Sequence, residues 1–128
     1  MKDARVPQPA YDDAAGVTAA FNRNVLRVIN RELDADFVPE RFRHVARVDE
    51  DAARVEMHLV ADAPQTVRLR ALDLTLPLAG GDDIWTESSY KFTRAGAEAM
   101  LAAAGFAVER WLTDPARQFA VVVAAPGP

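Results

Sequence analysis

The sequence predicts an α+β fold: a long N-terminal helix, then a small antiparallel β meander, then a second helix and a pair of strands. Apolar residues recur at helical spacing before residue 33, whereas apolar and polar residues alternate through much of residues 44–92. Beyond residue 92 a helical segment leads into two strand-like segments. The chain has 128 residues, half of them hydrophobic, which is ordinary for one folded domain.

The first helix is predicted to run from Asp12 or Asp13 to about Glu32, because residues in this stretch show an apolar helical period. The residues that carry this period are Val17, Phe21, Val25 and Val28. Strands are predicted where the period changes to two, at residues 55–59, 66–70, 72–76 and 84–92.

The C-terminal segment begins with Thr93, which is a suitable N-cap for a helix that Gly105 should end. Residues 106–112 and 118–124 are predicted to form two paired strands. The stretch 119–123 is apolar on both faces, which is typical of a strand inside a covered sheet. Two helices cannot cover it, so we expect part of the protein to be missing and the chain alone to self-associate or to be poorly soluble.

Composition excludes several classes of function. The net charge is −4, with basic and acidic residues mixed along the chain, so the basic patch of a nucleic-acid-binding protein is absent. No apolar run approaches the roughly 20 residues of a membrane span. The chain has no cysteine, which excludes disulfides and cysteine-ligated zinc and fits a cytoplasmic location. We therefore expect no nucleic-acid or membrane partner.

Few residues suggest chemistry. The six glycines form no G-x-G-x-x-G or phosphate-binding loop. His44 and His58 lack metal-ligand spacing, and both are interpreted as surface or partly packed residues. No catalytic or metal-ligating residue is predicted, and the chain is poorly equipped to act as an enzyme by itself.

Three clusters are candidates for ligand binding. Glu87 and Ser89 share one face of a predicted strand, where a carboxylate and a hydroxyl can bind both nitrogens of a neutral imidazole. A solvated strand face explains the same spacing and is favoured by spacing alone. Tyr11, Thr18 and Asn22 would form a polar stripe able to bind a zwitterion, although spacing alone favours helix capping and an ordinary amphipathic helix. Met57 fits either a core or the apolar wall of a pocket.

Four stretches together carry a family resemblance: AYDDAAGVTAAFNRNVLRVINREL, RVEMHL, TESSYKFTRAG and AGFAVERWLTDPARQFAV. They resemble the C-terminal part of the histidine-specific Nα-methyltransferases of ergothioneine biosynthesis, and YDDAAGVTAAFN is the most specific. The resemblance implies that residues 1–91 belong to a histidine-binding domain. It also implies that residues 92–128 complete a Rossmann-like methyltransferase sheet.

The resemblance also implies roles for individual residues. Glu87 and Ser89 would hold the imidazole of histidine, and Tyr11 would hydrogen-bond its carboxylate. Met57 would line the imidazole side of the pocket, and Thr18 would lie near the amine or the carboxylate. This sequence departs from the family pattern at Trp85 and in the turn at residues 47–49, neither of which coincides with these contacts.

The function implied is that of the C-terminal part of an enzyme that methylates histidine to trimethylhistidine with S-adenosylmethionine. The methyl group would pass directly to the neutral amine, and the cofactor-binding loop would lie in the absent upstream part. The chain is therefore expected to be inactive alone, and its partner would be a separate N-terminal methyltransferase half or a second copy. The alternatives are a stand-alone amino-acid-binding or interaction module that pairs with another chain, and a degenerate β-rich domain without a ligand.

Overall fold

The computed structural model describes Tyr11 and residues 14–127, and it confirms an α+β fold with antiparallel strands. In chain order the elements are α1 (Val17–Leu33), β1 (Phe42–Asp49), β2 (Arg54–Ala61), β3 (Gln65–Leu69), β4 (Leu74–Leu78), β5 (Asp83–Tyr90), α2 (Arg94–Ala103), β6 (Phe106–Thr113) and β7 (Ala120–Pro126). The chain divides after Tyr90 into two compact units.

The first unit contains a three-stranded antiparallel sheet in the order β1-β2-β5. The strands β3 and β4 pair as a separate hairpin between β2 and β5 in the chain, so the meander is divided between two sheets. The hairpin is tied to the segment after α1, because the Asp36 N–H donates to the Arg68 carbonyl oxygen at 3.1 Å. The central strand of the larger sheet is therefore β2, with a neighbour on either side.

The core of this unit forms where α1, β1, β2 and β3 meet. Its buried members are Leu26, Phe37, Phe42, Leu59, Ala61, Val67 and Leu69. Burying one of the larger apolar side chains, such as leucine, valine or phenylalanine, stabilises the folded state by about 1.5–3 kcal/mol. The core holds α1 against one face of the sheet.

The helix α1 begins later than predicted, and its buried residues lie outside the apolar series from which the helix is predicted. It begins at Val17 because Gly16 adopts a left-handed conformation with φ 72°, and residues 12 and 13 lie outside the described part of the chain. Val17 and Phe21 are each 68% exposed, whereas Asn22 and Leu26 are buried. The side of α1 that packs on the core carries Leu26, together with Ile29 and Leu33.

The second unit follows the predicted order of elements. The Thr93 hydroxyl accepts the Gly96 N–H at 3.1 Å and caps α2, and Gly105, with φ 80°, follows the end of the helix. The strands β6 and β7 pair antiparallel as expected. Within this unit Phe119, just before β7, is 66% exposed. Val121 and Val123 of β7 are also exposed.

The turn between β6 and β7 is built on one carboxylate. Asp114 accepts hydrogen bonds from the backbone N–H groups of Ala116, Gln118 and Phe119 at 2.7–3.1 Å. These donors, the Phe119 N–H foremost, lower the pKa of Asp114 below its ordinary value.

None of the described helices has the length and apolar character that a membrane span requires.

We predict that Asn30→Ala destabilises the first unit. The Asn30 side chain donates to the Phe37 carbonyl at 2.7 Å and accepts the Phe37 N–H at 2.8 Å, so it satisfies both backbone groups of a buried residue. Their loss should cost about 1–3 kcal/mol in the free energy of unfolding, measured with urea. Asn24, exposed on the same helix, offers a matched control in Asn24→Ala. Equal effects of the two changes would contradict this role.

Candidate functional site

The three-stranded sheet has two distinct faces, because side chains alternate along each strand. The inner face lies toward α1 and carries Val55, Met57 and Leu59 of β2, all buried. The outer face carries Glu56 and His58 of the same strand. Along β2 the inner face is therefore apolar, and the outer face carries the charged and polar side chains.

A β-bulge in β5 determines which of its side chains lie on each face. The pairing of β2 with β5 shifts between Met57, which is opposite Glu87, and His58, which is opposite Trp85. Thr86 is the extra residue, and its hydroxyl donates to the Met57 carbonyl at 2.8 Å. Because opposed residues of an antiparallel pair project to the same face, Glu87 lies on the inner face with Met57.

Tyr11 comes close to this part of the inner face. Its hydroxyl oxygen lies 3.0 Å from the Ser89 Oγ, within hydrogen-bonding distance. Ser89 is opposite Val55, so it shares the inner face with Glu87 and Met57. The structure therefore brings together Tyr11, Met57, Glu87 and Ser89, four of the five residues singled out in the sequence.

The remaining residue, Thr18, lies half-buried in the first turn of α1. Its place beside a ligand stays a prediction. The Glu87 carboxylate is exposed, and no ion pair or hydrogen bond joins it to another residue in the described part of the chain. It is thus available to accept an N–H from a bound molecule.

Two residues beneath Tyr11 were not recognised from the sequence as parts of one arrangement. Asn22 is 4% exposed, and its amide nitrogen lies 2.9 Å from His44 Nδ1 and 3.2 Å from the His58 carbonyl oxygen. His44 Nε2 lies 2.7 Å from the Tyr11 carbonyl oxygen. Asn22 therefore does not present its amide to a ligand as part of a polar stripe, because the amide is directed into the protein.

The outer face holds the second histidine among charged groups. His58 is 4% exposed, so its interpretation as a surface or partly packed residue is corrected to a buried one. Its Nε2 lies 3.1 Å from a Glu56 oxygen, and its Nδ1 lies 3.2 Å from an Asp83 oxygen. Arg54 pairs with Glu56 at 2.7 Å, and Arg47 pairs with Asp83 at 2.6 Å. The alternation of charged and apolar residues in the strand predicts two faces, but not this pairing across three strands.

Aromatic rings complete the outer face. The Trp85 and His58 rings stack with centroids 5.8 Å apart, and the Arg54 guanidinium lies 4.6 Å from the centroid of a Trp85 ring. The Tyr90 hydroxyl accepts a hydrogen bond from Arg54 at 3.0 Å, which contributes most to raising the pKa of Arg54. Charges on this face are therefore largely matched by one another, unlike the Glu87 carboxylate on the inner face.

We predict that Glu56 makes the first unit sensitive to acid. The hydrogen bond from His58 chiefly, and then Arg54, lowers the pKa of Glu56 from its ordinary value of 4.5. The stabilisation is complete above pH 4.5 and is lost as pH falls through the lower folded-state pKa. In urea titrations from neutral to acidic pH, Glu56→Gln should be less stable near neutrality and should approach the unsubstituted protein as pH falls.

The matched control is Glu50→Gln, at an exposed position after β1. It should follow the unsubstituted protein throughout the titration. A stability difference for Glu56→Gln that stays constant with pH would contradict the assignment of the lowered pKa.

Comparison with known proteins identifies the family. The profile described as histidine-specific methyltransferase, SAM-dependent, matches residues 1–126. The chain is 53% identical over 124 residues to a histidine N-alpha-methyltransferase of Mycolicibacterium smegmatis, and 52% identical over 125 residues to one of Mycobacterium tuberculosis. These matches cover 97% and 98% of the chain but only 39% of each relative. The chain belongs to the family of histidine-specific, SAM-dependent methyltransferases.

Proposed function

We propose that this chain is the C-terminal part of a histidine Nα-methyltransferase and that the inner face of its sheet binds the substrate histidine. The observation that carries the proposal is the 3.0 Å contact between the Tyr11 hydroxyl and Ser89, on the same face as Glu87 and Met57. It joins two sequence-distant residues that the family resemblance assigns to one ligand. The family match supports histidine as that ligand.

The chemistry of the four residues suits a neutral imidazole. The Glu87 carboxylate can only accept, so it would take the ring N–H, while the Ser89 hydroxyl can donate to the bare ring nitrogen. Met57, adjacent to Glu87 across the strands, supplies an apolar side chain next to the ring. Asparagine and glutamine also carry a donor and an acceptor, but they lack the aromatic ring that would lie against Met57. The site would therefore favour histidine.

Tyr11 and Thr18 would bind the other end of the substrate. In the structure the Tyr11 hydroxyl contacts the Ser89 hydroxyl. This contact must open when histidine binds, because Ser89 would bind the imidazole and Tyr11 the carboxylate of the same molecule. The change exchanges one hydrogen bond for another at each hydroxyl, so its net cost should be small. Anchoring both ends would leave the α-amine free to react.

The residues described in this chain do not fit a binding site for S-adenosylmethionine. The segment that leads from β5 into α2 is Lys91-Phe92-Thr93, which has no glycine, and Gly16 and Gly105 lie at helix ends. The described residues also contain no group of three histidine, aspartate or glutamate side chains that could hold a metal ion. We therefore assign no methyl-transfer step to this chain and place the cofactor site in the part that the relatives have beyond it.

The two compact units suit the two parts of such an enzyme. Residues 1–91 would belong to the histidine-binding domain and residues 92–128 to the methyltransferase domain. In the second unit the apolar side chains of Phe119, Val121 and Val123 are exposed. The remaining methyltransferase half, as part of the same protein or as a separate chain, would cover them. A cytoplasmic location belongs to the same proposal.

We predict that Glu87→Ala weakens histidine binding more than Ser89→Ala. A hydrogen bond to a charged group contributes about 1.5–3 kcal/mol and a neutral one about 0.5–1.5 kcal/mol. The dissociation constant should thus rise by roughly 10- to 100-fold for Glu87→Ala and by roughly 2- to 10-fold for Ser89→Ala. Calorimetric titration with histidine measures both, on the chain alone and after addition of the N-terminal portion of the M. smegmatis relative.

The strand itself offers a control for Ser89. Ser88 is opposite Glu56 and lies on the outer face, so Ser88→Ala should leave histidine binding unchanged. Glu50→Ala, at an exposed position, serves the same purpose for Glu87. Small and equal effects at Glu87 and Ser89 would favour a solvated strand face, and the proposed binding site would be wrong.

We also predict that the purified chain alone transfers no methyl group from S-adenosylmethionine to histidine. The reason is the missing glycine-rich loop between strand and helix. A radiolabelled methyl-transfer assay tests this, with the full-length M. smegmatis relative as the positive control. Turnover by the chain alone would show that a cofactor site exists among its own residues.

A further inference from the structure

We propose that His44 and Asn22 are positioning residues that hold Tyr11 over the inner face, where its hydroxyl reaches Ser89. The consequence for histidine binding rests on the proposed function, but the positioning itself can be tested without a ligand. His44 lies on β1, and Asn22 lies on α1. Neither has a described contact through which it would bind the substrate directly.

The hydrogen bonds determine where the protons lie. The His58 carbonyl oxygen can only accept, so the Asn22 group 3.2 Å away must be its NH₂. The same NH₂ lies 2.9 Å from His44 Nδ1, which must therefore present its lone pair. The proton of the neutral ring is then on Nε2, which donates to the Tyr11 carbonyl at 2.7 Å. One buried amide thus selects the tautomer that holds Tyr11.

Tyr11 lies outside α1 and is connected to the sheet at two points. It precedes α1, which begins only at Val17, so no helical hydrogen bond of α1 fixes its backbone. Gly16, between them, adopts the left-handed conformation that lets the chain turn. The bond from His44 connects the Tyr11 backbone to the edge strand β1, and the hydroxyl contact with Ser89 connects its side chain to the opposite edge strand β5.

Asn22 connects the helix α1 to the strands β1 and β2 beneath Tyr11. Its amide is buried and bridges β1, through the His44 ring, and β2, through the His58 carbonyl. A buried amide without these partners would be costly, so its orientation is strongly determined. The side chain of His58 lies on the opposite face of the sheet, so it does not take part in the tether.

The ligand-free test uses the small number of histidines and tyrosines, two of each in the whole chain. In ¹⁵N NMR spectra of the ring nitrogens, His44 should show a bare Nδ1 and a protonated Nε2. The change His44→Phe should shift the ring signals of Tyr11 and leave those of Tyr90 in place. A protonated Nδ1 with a bare Nε2, or unchanged Tyr11 signals in His44→Phe, would overturn the proposal.

Substitutions at His44 separate positioning from general stability. Glutamine can place an amide N–H near the position of Nε2, so His44→Gln should keep histidine affinity within about threefold of the unsubstituted chain, whereas His44→Phe should weaken it on the order of tenfold. His58→Gln removes the other histidine of the chain, whose ring lies on the outer face, and should leave the Tyr11 signals unchanged. If His58→Gln shifts them as much as His44→Phe does, the role of His44 is only structural.

A double-mutant cycle with Tyr11→Ala tests whether His44 acts through Tyr11. In that background His44→Phe should cause no further loss of histidine affinity, because the group that it positions is already absent. Additive losses would overturn the proposal. If the unsubstituted chain binds no histidine, with or without the N-terminal portion of a relative, the proposed function fails, and the NMR measurements still decide whether His44 positions Tyr11.

Discussion

Burial of the central strand β2 on both faces is the constraint on which the first unit depends. Five consecutive residues, from Met57 to Ala61, are buried. Such a strand is usually apolar throughout, because there is no solvent on either side to hydrate a charge. Here His58 interrupts the apolar run, and carboxylates on both of its ring nitrogens compensate for the burial. The charged network of the outer face is thus a condition for placing a histidine at this point.

The bulge at Thr86 lets one strand serve both faces. In a regular strand, residues 85 and 87 would project to the same side. With the extra residue, Trp85 stacks on His58 outside while Glu87 lies beside Met57 inside. The Trp85 indole N–H donates to the Glu87 carbonyl at 3.0 Å, and the Thr86 hydroxyl occupies the Met57 carbonyl. Bulges often occur where a side chain must be redirected next to a binding site, and this one fits that use.

Much of the fold follows from local patterns. Alternation predicts most strands, Thr93 and Gly105 mark the ends of α2, and the pairing of the last two strands follows from their proximity in the chain. The strand β1 is less evident, because His44, Val45 and Ala46 are all half-buried and do not alternate in burial. The apolar period of α1 predicts a helix but not its buried face, because the helix has apolar residues on more than one side and only tertiary packing selects among them.

The candidate site divides in the same way. Glu87 and Ser89 are two residues apart beyond the bulge, so their common face follows from the period of the strand alone. The bulge itself leaves no signal in the sequence, since Thr86 suits a regular strand equally well. The roles of His44 and Asn22 depend on contacts between residues 22 to 36 positions apart, which no spacing rule supplies. Spacing therefore found side chains that share an element, whereas Tyr11, 78 positions from Ser89, was joined to them by the family resemblance alone.

The two faces of the sheet meet at a single residue. The His58 ring belongs to the charged outer network, while its backbone carbonyl accepts the Asn22 amide on the inner side. The same residue borders the register shift opposite Thr86. Anything that displaces the His58 backbone would therefore move both the amide that orients His44 and the strand that presents Glu87. The ion pairs behind the sheet act on the His58 ring, whereas the Asn22 amide in front uses only the His58 backbone carbonyl, so a change of the side chain that keeps the strand in register leaves the amide its acceptor.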